Sequence, residues 1–160
     1  STQGSTFMQS TAPTATVVSL GSQTGQNGGS DTHILYSMAK TPGVIGIGSY
    51  KGNAAADGAF VHVDDGASGF KPAWVFIKRL EDGYAFHIQD STRSPINPTA
   101  LGLNANDTGT DSATLAYDFV ANGFKLRRDG GGYNGSATYL YVAMAEMPFG
   151  GDSIAQGKAR

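Results

Sequence analysis

Several residue groups in this chain could carry chemistry. His62-x-Asp64 and His87-x2-Asp90 would offer nitrogen and oxygen ligands to a metal if their strands lay side by side. The third histidine, His33, stands far off, and no close His/Cys spacing supports a site. Histidines on polar strand faces are the plainer reading. Asp64-Asp65 with nearby Asp57, and the run from Asn104 through Asn106 and Asp107 to Asp111, supply the oxygen atoms a hard cation takes. Asp57, Asp64 and Asp65 lack the EF-hand spacing, and solvated turns account for both groups. A glycan hydrolase needs two carboxylates about 5–9.5 Å apart. Asp82, Asp90, Asp118 and Glu146 are available, but nothing in the sequence pairs them. There is no Cys and no G-x-S-x-G turn to hold a nucleophile. Gly46-x-Gly48 followed by Gly52 misses the dinucleotide spacing. The chain therefore reads as no enzyme, with no cofactor.

Binding residues are the better prospect. Trp74, the single tryptophan, would be a sugar-stacking platform if exposed; its neighbours Val75, Phe76 and Ile77 favour the core instead. Lys78-Arg79 and Arg127-Arg128 suit acidic glycans or, more plainly, solvated strand ends. Tyr133, Tyr139 and Tyr141 stand beside a loop of Asn, Gly and Ser. That mixture gives rigid contact area and adaptable hydrogen bonds, and it serves a receptor or an interlocking neighbour equally well. Candidate contacts to a receptor or partner are Asn104, Asn106, Asp107 and Asp111 in one loop, with Tyr133 and Asn134 in another.

These residues need a β framework. Gly makes up 23 of 160 residues and charged residues only 15%, a composition that favours strands and turns over helices. Strands are expected over 16–20, 33–39, 44–50, 60–63, 73–79, 84–89, 118–120, 123–126 and 138–146. Asn27-Gly28, Asp82-Gly83, Asn122-Gly123 and Asn134-Gly135 are turn dipeptides. Residues 90–112 read as one long loop, of the length that is usually functional or mobile. The stretches 73–79 and 138–146 are apolar on both faces, which calls for two layers or for cover by another chain. The fold class is all-β, an antiparallel β-sandwich. A formal net charge of −2 argues against nucleic acid and acidic membrane surfaces as partners. No apolar run approaches the ~18 residues of a membrane span.

The chain also repeats itself at an offset of 106 residues: Leu20/Leu126, Gly25/Gly131, Gly29/Gly135, Ser30/Ser136, Thr32/Thr138, Met38/Met144, Ala39/Ala145 and Pro42/Pro148 are identical. Tandem-repeat character follows. Residues 1–42 read as the C-terminal part of an upstream module, 43–150 as a complete one and 151–160 as a polar tail.

Phe70-x-Pro72-Ala73-Trp74-Val75-x-Ile77-Lys78-Arg79, Asp90-Ser91-x-Arg93, Asn97, Asp118-Phe119 and Asn122-Gly123-Phe124-Lys125-Leu126-Arg127 form an ordered set. It continues with Asn134 and Thr138-Tyr139-Leu140-Tyr141-x-Ala143-x-Ala145-Glu146-x-Pro148-Phe149, and closes at Ala159-Arg160. This set resembles a β-rich domain of unassigned function that recurs, often in tandem, in tail-fibre and other virion proteins of bacteriophages. Residues 44–149 match as a full copy and 16–42 as a partial one, with Lys40 in place of Glu146 and Gly43 in place of Phe149. The resemblance implies a jelly-roll-like sandwich and brings no catalytic residues. It implies a structural and adhesive module of a virion appendage, assembled in the bacterial cytoplasm. Its expected partners are its own copies (a trimer, as in tail fibres generally), other virion proteins and a host-surface glycan. A carbohydrate-binding module is the alternative, followed by a glycan-degrading domain.

Overall fold

The computed structural model describes residues 12, 14–21, 27, 32–81, 83–111, 113 and 115–146. The chain divides into two units, Ser1–Met38 and Ala39–Arg160.

In the first unit the described residues form no strand. The strands expected over 16–20 and 33–39 are therefore absent from it. Ile34, Leu35 and Tyr36 stand more than three-fifths exposed. An alternating sequence gives a strand only where a neighbour accepts its backbone hydrogen bonds. Asn27-Gly28 lies partly, and the 151–160 tail wholly, outside the described residues.

The second unit holds eight strands: β1 (Ile45–Lys51), β2 (Phe60–His62), β3 (Pro72–Arg79), β4 (Phe86–Asp90), β5 (Gly102–Asn104), β6 (Tyr117–Val120), β7 (Gly123–Leu126) and β8 (Thr138–Ala145). They form two sheets, β1-β8-β3-β4-β5 and β2-β7-β6. Every pairing within them is antiparallel. An all-β fold of two antiparallel sheets is thus present. The long 90–112 loop is corrected: its middle is β5, whose Leu103 pairs with Ile88 of β4.

The core lies between the sheets. Val75, Ile77, Tyr139, Tyr141 and Ala143 face Tyr117, Phe119, Phe124 and Leu126, all buried. Tyr50 stacks on Tyr139 at 5.1 Å and meets Phe124 edge-on at 6.0 Å. Gly46 and Gly48 allow this approach: a Cβ at Gly46 would stand 2.2 Å from Val63 Cγ1.

The other face of the five-stranded sheet is also apolar. Directly paired residues share a face, so Trp74, Met144 and Ile45 form one row and Phe76, Val142 and Ile47 the next. Phe86 and Ile88 extend it on β4. Trp74 stacks on Phe76 at 6.3 Å, and Phe76 on Phe86 at 5.7 Å. Trp74 is therefore half-buried on this outer face and does not fill the core. The two-sided apolar character of 73–79 and 138–146 has this origin.

Two of the sheet edges, β1 and β6, are tied off locally. On β1, Ile45 N donates to Thr41 O and Ile47 N to Asp64 O, both at 3.0 Å. On β6, Thr99 and Tyr117 exchange backbone bonds, and the Asn97 amide bonds both the N–H and the C=O of Phe119.

The Asp64-Asp65 turn is not simply solvated. Asp65 is 2% exposed and accepts from the backbone N–H of Gly43, Ala67 and Gly69 at 2.8–3.0 Å. Burial pushes its pKa up, but the three N–H donors together outweigh burial and hold it below the ordinary carboxylate value. The folded state therefore binds this proton less readily than the unfolded chain. The stabilisation is complete above the unfolded pKa and is lost as pH falls through the depressed folded value. Asp65→Ala is expected to cost about 3 kcal/mol at neutral pH, measured by urea unfolding. The difference between wild type and variant should shrink in acid.

Candidate functional site

A cleft of about 260 Å³ opens where the start of β4 meets the Gly-rich segment before β8. Its walls are Tyr84, His87 and Leu115 on one side and Arg128 through Tyr133 on the other. Three consecutive glycines make the passage. A Cβ at Gly130 would stand 2.4 Å from the Tyr133 ring, one at Gly131 2.8 Å from Tyr84 Oη, and one at Gly132 2.2 Å from His87 Nε2. Each glycine thus lets the chain pass against a ring that lines the cleft.

Tyr84 stands at the rim, nearly half exposed. The Arg79 guanidinium lies 4.7 Å from its ring centroid and donates from Nη1 to Gly131 O at 3.0 Å. The strand end therefore fixes both the ring and the loop beside it. Arg128 and Asp129, of opposite charge, are exposed on the far side.

His87 forms part of the wall. It meets Tyr133 edge-on at 5.8 Å, and Tyr133 meets Tyr117 at 5.5 Å. Both ring nitrogens of His87 are buried without a well-formed hydrogen bond. The histidine expected on a polar strand face thus lies on the core side, paired with buried Ile77. Burial holds its pKa below the ordinary histidine value, against an opposing pull from the Asn104 side chain. A neutral imidazole keeps one donor and one acceptor. His87 is expected to titrate below pH 6.5, and nuclear magnetic resonance of its ring protons checks this. The sign follows: the unfolded chain takes up this proton first, so stability declines as pH falls through the unfolded value.

The six predicted contacts divide. Asn104 pairs with His87 across β5 and β4, and Tyr133 packs on the same ring; two loops chosen separately in the sequence meet there. Asn106 and Asp107 are exposed, with Oδ1 atoms accepting from Phe86 N at 2.9 Å and Gly109 N at 3.1 Å. Asp111 is exposed and pairs with Arg93 at 3.5 Å. Tyr133 and Asn134 are corrected as surface contacts, being 4% and 0% exposed. Asn134 Oδ1 accepts from Asn53 N, and Nδ2 donates to Asn53 Oδ1, Ala55 O and Arg128 O. It is a tie between loops. Sequence reasoning missed Tyr84 and Arg79 as a pair; the Asp82-Gly83 hairpin signal between them in the sequence was the available clue.

Elsewhere the candidate chemistry is dispersed. Among the described residues, no three of His, Cys, Asp and Glu gather closely enough to hold a metal. His62 Nε2 bonds Ser68 O at 3.1 Å, and Asp64 pairs with Lys40. Asp82 lies outside the described residues. Asp90 pairs with Arg93, Asp118 with Arg127 and Glu146 with Lys71.

Compared with protein families, the chain matches one described as "Domain of unknown function (DUF7483)" over residues 1–148. No curated protein and no solved structure matches it.

Proposed function

The chain belongs to the DUF7483 family, and from the resemblance of its ordered motifs to a virion domain we propose that it is a structural and adhesive module of a bacteriophage virion appendage, such as a tail fibre. Its copies assemble with one another and present loops to the host surface. The fold is a jelly-roll-like sandwich repeated in tandem, with residues 1–42 closing one module and 43–150 forming the next. It is assembled in the bacterial cytoplasm with other virion proteins.

The observation that carries the assembly is the outer face of the five-stranded sheet. Trp74, Phe76, Val142, Met144, Ile47 and Ile88 form a continuous apolar surface. Patches of this kind on a soluble chain mark a contact. Its occupant is a second copy of the chain. Flat sheets pack face to face about 10 Å apart, and the margins of this face hold Lys78 at one end of the strands and Asp90 at the other. Turned about an axis across its strands, the same face sets one copy's lysine end against the other's aspartate end. The adhesive part of the reading is supported by the exposed Asn106, Asp107 and Asp111 and by the cleft at Tyr84. Weak sites held at fixed spacing on several copies gain avidity without any new contact.

Light scattering across a dilution series tests the reading. A closed oligomer that survives dilution is expected. A chain that stays at the mass of one copy, 16.5 kDa, would overturn it.

A further inference from the structure

We propose that the cleft walled by Tyr84, His87 and Gly130–Gly132 binds a neutral saccharide ring. This inference deepens the adhesive reading, since it names what the module would hold.

Three features of the cleft select that chemistry. The first is the Tyr84 platform. A pyranose has an apolar C–H face that lies on an aromatic ring, and a rim of hydroxyls that must be hydrogen-bonded. Tyr84 is exposed enough to be covered by a ligand, and Arg79 already fixes its position. A platform set before binding loses little freedom when the ligand arrives.

The second is the balance of charge. Arg128 donates in a planar fork and Asp129 accepts, and both line the same opening. A hydroxyl both donates and accepts, so neighbouring sugar hydroxyls use both partners. A ligand with one sign of charge would meet one attractive group and one repulsive group.

The third is the size of the space. The volume, about 260 Å³, is under the ~300 Å³ at which pockets for drug-sized ligands begin, and it suits a single ring.

The test uses the whole chain with four probes: glucose, galactose, N-acetylglucosamine and glucuronic acid. Backbone amide shifts are followed by nuclear magnetic resonance. At least one neutral sugar is expected to shift the Gly130, Gly131 and Gly132 amides. Tyr84→Ala should weaken that binding at least about tenfold, with melting temperature unchanged. The proposal is overturned if no neutral sugar moves these amides, if only glucuronic acid does, or if Tyr84→Ala binds as well as wild type. Adhesion to cells is read separately. Sugar-induced shifts without cell binding would remove the adhesive function and leave the cleft standing. Cell binding with unshifted amides would do the reverse.

Discussion

Asn134→Ala is expected to be among the most damaging single substitutions in the chain, costing about 3 kcal/mol of stability. The side chain is fully buried, and its amide makes four hydrogen bonds at 2.7–3.2 Å. These bonds join the Asn53–Ala55 turn to Arg128 in the approach to the cleft. Backbone bonds reinforce the tie, with Ala54 N donating to Asn134 O and Asn134 N to Gly130 O. Removing the amide leaves the Asn53 N–H and the Ala55 and Arg128 carbonyls without this partner, and each buried unsatisfied group costs about 1–3 kcal/mol. Asn134→Asp separates this account from loss of shape. It keeps the volume but turns a second acceptor toward carbonyl oxygens, so it should be at least as damaging at neutral pH. Urea unfolding of both variants is the measurement. An Asp variant as stable as wild type would sink the explanation.

The second large effect concerns assembly. Phe76 lies mid-strand on the outer face, between Trp74 and Phe86. Phe76→Glu puts a carboxylate in the middle of the proposed contact between copies. An unpaired charge covered by an apolar face costs several kcal/mol. The dissociation constant is therefore expected to rise at least about a thousandfold, which light scattering reads as a fall to the single-chain mass. Phe76 is only half-buried within one copy, so the separated chain should still unfold cooperatively. If Phe76→Glu keeps the mass of the wild-type assembly, the outer face is not the contact.

The strands that were legible in the sequence are those specified by their own residues. β3 and β8 carry long apolar runs, and the Asn122-Gly123 turn joins β6 to β7. β5 was not legible, because Gly102-Leu103-Asn104 has no pattern of its own and exists through its pairing with β4. The 33–39 segment failed in the opposite way. It alternates much as β8 does, yet its described residues have no sheet to join. The candidate site was half legible. Residue type placed Tyr133, Asn134 and His87 at the surface, since polar and aromatic residues near glycines usually lie there. What reverses this is the supply of buried partners: carbonyls around Asn134, and aromatic edges around His87 and Tyr133. Neither can be counted along a sequence. Tyr84 opens the strand expected over 84–89, but it precedes β4, which begins at Phe86, and escapes its alternation.

The closed edges of β1 and β6 also bear on aggregation. A bare strand accepts another strand, which exposes a fresh edge in turn, so such growth has no natural end. Here the Thr41 and Asp64 carbonyls occupy two N–H groups on β1, while Thr99 and the Asn97 amide occupy the outer side of β6. Strand addition is thereby blocked along β1 and β6. At high concentration these two edges therefore resist the open-ended strand addition from which aggregates grow.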